Sequence, residues 1–289
     1  MQPSEHRPDA LPGGVAAGIP PLEVPAYLPF EGEELYVVHH PTAGPPRARA
    51  LLAGPFASER PHAYGCWVRW ARTLAARGVE CLRFDYRGTS ESTGRFADHC
   101  LTTWRADVEH LARWLAAREP RRPLVLHGLR LGGLLAARAF FAGGRGDALL
   151  LWSPPESGQA MLHDTLRRRL ATDMALAGPG PRRTREEYVA ELLAGGTVEV
   201  EGFAWTRRLW EDAASHSLDL PAPEGRGADG RPWRSVRLER SAGPLADPYG
   251  LGFAPRGGAA LKPMNPDLTS LFAAELAWIL AAAGEEGSR

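Results

Sequence analysis

Residues 128–132 have the sequence GLRLG and follow a short apolar run. The apolar residues after them have helical spacing, so a buried strand, a tight turn and a helix are predicted in that order. In the pattern Gly-x-Ser-x-Gly, such a strained turn presents a serine hydroxyl for attack on an acyl group. Here Arg130 stands in place of the serine, and a guanidinium stays protonated and cannot accept an acyl group. This turn, residues 128–132, is called the elbow turn below.

The backbone around the elbow turn is still predicted to favour negative charge. The N–H group of Leu131 would open a helix, where backbone donors and the helix dipole both stabilise an anion. A second donor is expected from the turn after Ala53. Because Pro55 has no N–H group, Phe56 is the better candidate for it. Phe56, Arg130 and Leu131 are therefore candidate anion-binding residues, and a plain Gly-rich turn without a ligand is the alternative.

The histidine and the acid of a serine-based triad are not encoded in the expected order. Such a site needs the serine, then an acid, then a histidine late in the chain. The last histidine is His216, which precedes a segment rich in Pro and Gly and is more typical of a helix end. His127 precedes the elbow turn and should point away from it by strand alternation. We therefore assign no catalytic residue from the sequence.

Two serines and one glutamate are the remaining candidates near this turn. Ser90 and Ser153 each follow the end of a predicted strand, so both are alternative nucleophiles on the same rim of the sheet. Turn serines more often form local hydrogen bonds, which makes this role the weaker interpretation. Glu59 follows the turn that contains Phe56 and is a candidate ion partner of Arg130.

Strands and helices alternate along the first half of the chain, which predicts an α/β fold with a doubly wound, mostly parallel sheet. Residues 1–25 are rich in Pro, Gly and Ala and are predicted to form a flexible arm. Residues 26–289 are predicted to form a single domain, with a small helical, cap-like insertion at about 155–220. The elements that we expect include strands at 34–39, 48–53, 79–85, 147–152 and 235–240, helices at 67–77, 103–118 and 267–282, and a linker at 221–233.

Composition excludes several classes of function. The 289 residues carry no net charge and the pI is about 7.1, so nucleic acid is not expected as a partner. Three cysteines without metal-type spacing predict a reducing compartment and no metal site. Neither a signal pattern nor a membrane-spanning run is recognised. We expect a cytoplasmic protein without a cofactor.

Several segments resemble a known family. Residues 56–59 (FASE) and 84–94 (FDYRGTSESTG) resemble the serine-aminopeptidase-like (S33) α/β-hydrolases. The elbow turn, residues 151–158 (LWSPPESG) and residues 191–203 are similar to the second type of exosortase A system-associated hydrolase. The resemblance covers roughly residues 48–220, and that group also has GLRLG at this turn. It implies an α/β-hydrolase fold and a link to exopolysaccharide production and to the sorting of tagged surface proteins.

Three hypotheses for the function follow. The first is a hydrolase of ester, thioester or peptide bonds that works with an unusual arrangement of residues. The second is a non-catalytic binding or accessory protein that holds a small anionic or acylated ligand at Arg130, because a guanidinium and backbone donors can bind a carboxylate or a phosphate together. In the third, Arg130 pairs with Glu59 and fills the position of the nucleophile.

Overall fold

The computed structural model describes residues 23–57, 59–118, 120–176, 183–238 and 266–284. The strands are β1 (Val24–Phe30), β2 (Glu33–His40), β3 (Ala48–Ala53), β4 (Val79–Phe84), β5 (Leu124–Leu129), β6 (Ala148–Trp152), β7 (Val198–Val200), β8 (Phe203–Trp205), β9 (Glu224–Arg226) and β10 (Pro232–Val236). The α-helices are α1 (Glu59–Ala76), α2 (Leu101–Arg118), α3 (Leu131–Phe141), α4 (Gly158–Leu176), α5 (Arg185–Leu193), α6 (Arg207–Ala213) and α7 (Pro266–Gly284). A short 3₁₀ helix, Phe96–Asp98, precedes α2.

Eight strands form one sheet in the order β1-β2-β4-β3-β5-β6-β10-β9. The neighbours from β4 to β10 are parallel, whereas β2 is antiparallel to both β1 and β4, and β9 is antiparallel to β10. Long crossovers that contain helices join the parallel strands, as parallel pairing requires. This confirms the predicted α/β fold with its mostly parallel sheet.

Apolar side chains cover both faces of the sheet. On one face α1 and α7 pack together, and the rings of Trp70 and Phe272 lie 4.8 Å apart. On the other face α2 and α3 bury Trp104 and Phe140. Because all six residues of β5 are buried, this strand lies in the middle of the sheet, and the elbow turn that follows it begins at the centre of the domain.

The structure corrects the predicted N-terminal boundary. The arm was expected to extend to residue 25, and residues 1–22 lie outside the described residues, but Val24 and Pro25 already belong to β1. The strand predicted at 34–39 is β2 and is second in the sheet, because β1 is the edge strand. Pro25 and Pro29 obscured β1 in the sequence, although an edge strand tolerates prolines because one of its sides needs no ladder hydrogen bonds.

Two further predicted boundaries are wrong. Helix α1 begins at Glu59, eight residues before the predicted start, because Pro61 lies in the first turn, where a helix needs no N–H donor. The predicted linker at 221–233 contains β9, which pairs with β10 through an antiparallel hairpin. Strand β10 ends at Val236, and residues 239–240 of the predicted last strand lie outside the described residues.

The chain between β6 and β10 forms α4, α5, the β7–β8 hairpin and α6, which cover the carboxyl end of the sheet near α2. Asp212 on α6 accepts hydrogen bonds from the N–H group of Thr102 at 2.9 Å and from its hydroxyl at 2.6 Å. The ring of His216 lies 3.1 Å from the same hydroxyl. Although burial alone would raise the pKa of Asp212, the hydrogen bonds from His216 and Thr102 hold it below its ordinary value.

A buried ion pair anchors the loop after β4. The guanidinium Nε of Arg87 donates to Asp107 Oδ1 at 2.6 Å, and both side chains are almost fully buried. The ring of Phe30 covers the guanidinium, with 4.5 Å between the guanidinium carbon and the ring centre. Burial raises the pKa of Asp107 to about 7, against the opposing effect of Arg87. This pair holds the loop against α2 and the β1–β2 hairpin.

Candidate functional site

The elbow turn joins β5 directly to α3. Its central residue, Arg130, has φ 54° and ψ −119°, a backbone conformation that L-residues rarely adopt. The N–H group of Arg130 donates to the carbonyl of Trp152 at 3.0 Å, and its carbonyl accepts from Gly133 and Leu134 in the first turn of α3. A non-glycine residue at this φ costs about 1–3 kcal/mol and persists only where the surrounding structure enforces it.

The two glycines of the turn permit the close packing that enforces this conformation. A Cβ atom on Gly132 would lie 2.0 Å from the carbonyl oxygen of Ala53 and 2.6 Å from that of Gly54. A Cβ atom on Gly128 would lie 2.3 Å from the carbonyl oxygen of Gly132. The first turn of α3 therefore rests directly on the backbone at the end of β3, and only glycine fits at either position.

The guanidinium of Arg130 binds the carboxylate of Glu59. Nε and Nη2 of Arg130 both lie 3.1 Å from Oε1 of Glu59, and Nη1 donates to the carbonyl of Ser153 at 3.2 Å. The side chain of Glu59 is 3% exposed and that of Arg130 is 13% exposed. Because water is largely excluded from this pair, the interaction is stronger than a surface ion pair.

Helix α4 extends this interaction over the elbow turn. Nη1 of Arg168 lies 3.3 Å from Oε1 of Glu59 and 2.5 Å from Oδ2 of Asp164, and Asp164 in turn lies 3.6 Å from Nη2 of Arg130. Arg167 also contacts Asp164 from the solvent side. Asp164 and Arg168 were not among the site residues predicted from the sequence. Because residues four apart on a helix are neighbours, their spacing on an Arg-rich helix could have indicated an ion pair between them.

The two candidate backbone donors lie on neighbouring segments. Leu131 is the first residue of α3, so its N–H group belongs to the four that have no acceptor within the helix. Phe56 lies in the turn after β3, where its carbonyl accepts from the N–H group of Glu59 at 3.1 Å. The ring of Phe56 is buried 5.5 Å from that of Trp104. Burial of this ring fixes the turn that follows β3, whose first residues contact the first turn of α3.

The two candidate serines line different pockets. Ser153 lies beside Arg130, but its hydroxyl accepts from the N–H group of Leu238 at 2.7 Å and its own N–H group donates to Val236 at 2.8 Å. Ser153 thus joins the ends of β6 and β10. Ser90 lines a separate pocket near the ends of β2 and β4. The two serines were expected on one rim, but they do not share a cavity.

His127 lies in the core and away from the elbow turn. Its ring is fully buried, and it packs against Trp67 and Trp152 with ring centres 5.0 and 4.7 Å apart. Nδ1 of His127 donates to the carbonyl of Leu150 at 2.9 Å. Burial lowers the pKa of His127 to about 3, so the imidazole is neutral at ordinary pH. Its position in this core makes it unsuited to act as a base at Arg130.

Metal and membrane features are also absent from the part of the chain that the structure describes. In residues 23–57, 59–118, 120–176, 183–238 and 266–284, no group of three or more His, Cys, Asp or Glu side chains is arranged to hold a metal ion. Within the same ranges, no helix combines the length and the apolar character needed to cross a membrane.

Comparisons with known proteins give likenesses in structure. No protein-family model and no curated protein matches the chain. Alpha/beta hydrolase domain-containing protein 10 from mouse is similar at 18% identity and a TM-score of 0.45, over 87% of this chain and 83% of that one. Est1E from Butyrivibrio proteoclasticus, solved with ferulic acid bound, is similar at 18% identity and a TM-score of 0.41, over 72% and 67% of the two chains. An alpha-beta serine hydrolase homologue from Coxiella burnetii has the same identity and TM-score, over 49% and 67%.

At these identities and TM-scores, the likenesses carry no argument about activity. The fold is assigned on two features of this chain. The sheet has the order β1-β2-β4-β3-β5-β6-β10, in which β2 runs antiparallel to the other strands, and a strained turn joins β5 to α3. Fold alone does not determine function, which has to be argued from the side chains of the site. By its strand order, strand polarity and turn geometry, the chain has an α/β-hydrolase fold with Arg130 at the turn between β5 and α3.

Proposed function

We propose that this protein is a non-catalytic protein of the α/β-hydrolase fold that binds a small anionic, acylated ligand beside Arg130. The observation that carries this proposal is the position of the guanidinium. It stands where the fold would present a nucleophile, and it lines a cavity of about 1250 Å³. A guanidinium there can attract a carboxylate or a phosphate but cannot attack a carbonyl.

The walls of this cavity support the class of ligand. Pro154, Pro155, Leu218, Leu220, Val236 and Leu238 form their apolar part, and a polar part of similar extent includes Arg130, Arg237, Glu156 and Asp219. A cavity that offers both apolar surface and charged side chains can hold a ligand that has an apolar body and one charged end. An acyl chain would pack along these walls while its anionic group contacts Arg130.

The sequence resemblance supports a role for this binding protein in exopolysaccharide production or in exosortase-linked sorting. The ligand would then be an acylated component of such a system. Gene neighbourhoods that hold neither exosortase nor polysaccharide genes would count against this part of the proposal.

Octanoate is the simplest probe of the proposed site. We expect it to raise the thermal unfolding midpoint of the protein, and Arg130→Gln to weaken its affinity about tenfold or more, because a hydrogen bond to a charged group contributes about 1.5–3 kcal/mol. Isothermal titration calorimetry measures the dissociation constant. The matched control is Arg167→Gln, since Arg167 is 72% exposed, contacts the same network and does not line the cavity. Equal octanoate affinities in the wild type and in Arg130→Gln would refute the proposal.

Hydrolysis of an ester, thioester or peptide bond is the second candidate function. The turn geometry favours it, because the N–H group of Leu131 still opens α3 beside the end of β3. This candidate lacks a nucleophile at residue 130, and His127 is buried among tryptophans. A hydrolase would therefore need a nucleophile and a base other than residues 130 and 127.

A fluorophosphonate probe separates these two functions. We expect no covalent labelling of the wild-type protein. We also expect Arg130→Ser to have no measurable turnover of p-nitrophenyl acetate above that of the wild type, because a serine without a histidine base stays protonated. Labelling is measured by intact-protein mass spectrometry. Stoichiometric labelling of Ser90 or Ser153, or turnover by the variant, would show that a base was overlooked and would favour the hydrolase.

A further inference from the structure

A second pocket lies where the ends of β2 and β4 meet the first turns of α1. Its volume is about 310 Å³, and it does not include Arg130. Its lining includes Tyr36 on β2, Arg83 and Asp85 at the end of β4, and Arg60 and Tyr64 on α1. Like the elbow turn, this pocket opens near the carboxyl ends of the parallel strands, where ligands of open α/β sheets bind.

Arg83 is a buried cation in this pocket. The residue is 6% exposed, and its Nε donates to Nε2 of His40 at 2.9 Å. Burial and the nearby charge of Arg83 lower the pKa of His40 to about 3, so the imidazole is a neutral acceptor. Among the residues that the structure describes, no carboxylate forms an ion pair with Arg83. A buried guanidinium with a neutral partner is costly, and an anion in the pocket would reduce that cost.

Asp85, the acidic residue that follows Arg83 in the pocket, already has other hydrogen-bond partners. Asp85 accepts a hydrogen bond from Nη2 of Arg60, and its other oxygen accepts from the N–H group of Glu91 at 3.2 Å. Arg60 and Asp85 therefore neutralise each other at the mouth of the pocket. The exposed carboxylate of Glu91 lies at the rim. A polyanion would meet this carboxylate, whereas a ligand with one negative charge can approach Arg83 without doing so.

Tyrosine rings form the remaining recognition surface. The ring of Tyr64 lies between two guanidiniums, with its centre 5.7 Å from the guanidinium carbon of Arg60 and 5.6 Å from that of Arg83. Tyr64 is 47% exposed, and the exposed Tyr27 packs 5.4 Å from Tyr36. Exposed tyrosine beside arginine is the composition typical of recognition sites, because it offers apolar area with few rotamers to lose.

We propose that this pocket is a second ligand site, independent of the elbow turn, for a small aromatic monocarboxylate. Arg83 binds the carboxylate, and the rings of Tyr64 and Tyr36 contact the aromatic body. The volume admits a ligand of roughly ten non-hydrogen atoms, which is at the small end of ligand sites in proteins.

Benzoate tests this assignment, with inorganic phosphate for comparison, by calorimetric titration of the full chain at constant ionic strength. We expect benzoate to bind more tightly than phosphate. Arg83→Gln should raise the dissociation constant for benzoate at least tenfold, and Tyr64→Ala should raise it about threefold or more. Tyr64→Ala changes a half-exposed side chain on a helix, so it remains informative even if Arg83→Gln does not fold. Arg130→Gln is the matched control and should leave the benzoate affinity unchanged.

Three outcomes would overturn the proposal. In the first, benzoate does not bind to the wild type. In the second, Tyr64→Ala leaves the affinity for benzoate unchanged. In the third, Arg130→Gln abolishes the binding of benzoate. Phosphate binding more tightly than benzoate would overturn the assigned ligand class. Because octanoate at Arg130 and benzoate at Arg83 are measured with different variants, failure of one site is distinguishable from failure of the other.

Discussion

Gly132→Ala is expected to lower the free energy of unfolding by about 4 kcal/mol. Overpacking of a core typically costs about 1–3 kcal/mol, because side chains can shift to make room. At Gly132 the new Cβ atom would lie 2.0 Å from the carbonyl oxygen of Ala53, and this obstacle is backbone. Relief would require the first turn of α3 to move away from β3 by more than about 1 Å, given a normal contact distance of about 3.5 Å.

Gly65→Ala is the matched control for this prediction. Gly65 lies on the exposed side of α1, and a Cβ atom there would meet nothing within 4 Å. Removing an interior glycine from a helix should raise the free energy of unfolding by about 0.5–1 kcal/mol. Urea denaturation followed by circular dichroism measures both variants. A Gly132→Ala protein as stable as the wild type would show that β3 and α3 are not in close contact.

Acid is expected to destabilise the fold through the buried ring of His127. Burial lowers the pKa of this histidine from 6.5 to about 3. Between these two values the unfolded chain binds a proton that the folded chain does not. The free energy of unfolding should therefore fall as pH falls, by about 1.4 kcal/mol per pH unit for each such group. From pH 6.5 to pH 4.5 the loss through His127 amounts to about 2–3 kcal/mol.

Other buried groups titrate in the same range, so the measurement is made as a difference between variants. His40, with a pKa lowered to about 3, acts in the same direction as His127, whereas Asp107, with a pKa raised to about 7, acts in the opposite one. His127→Phe should flatten the dependence of stability on pH by about 1.4 kcal/mol per unit relative to wild type. Trp67→Phe removes part of the same cluster without removing a titrating group, so its pH dependence should match that of the wild type. Identical slopes for His127→Phe and wild type would contradict the neutral, buried state of His127.

The central elements of the sheet could be predicted from the sequence because their patterns are local. Strands β3 to β6 are short apolar runs, each followed by a helix, and Gly128 and Gly132 mark the turn at the end of β5. Such runs are typical of strands that are buried on both faces. The ends of the sheet were predicted less well, since β1 contains two prolines and all three residues of β9 are exposed and lack an apolar side chain.

The residues of the candidate site were also predicted from the sequence only in part. The sequence indicated Arg130 and Leu131 at the elbow turn and Phe56 at the turn after Ala53, and Glu59 was a candidate partner because it follows the second of these turns. Asp164 and Arg168 come from a helix more than 30 residues further along, so no spacing rule connects them with the elbow turn. The pocket around Arg83 was missed because Arg83 lies inside a strand pattern and its neighbours are distant in sequence.

The sequence by itself determined the type of fold, the glycines that the elbow turn requires and the absence of a nucleophile at residue 130. These depend on short-range periodicity and on the chemistry of single side chains, which a linear pattern preserves. Only the tertiary structure decided the environment of each charge: that Arg130 is bound by a buried Glu59 under α4, and that Arg83 is buried beside a neutral imidazole. Charge environment depends on burial and on partners from distant segments, and both arise only when the chain folds.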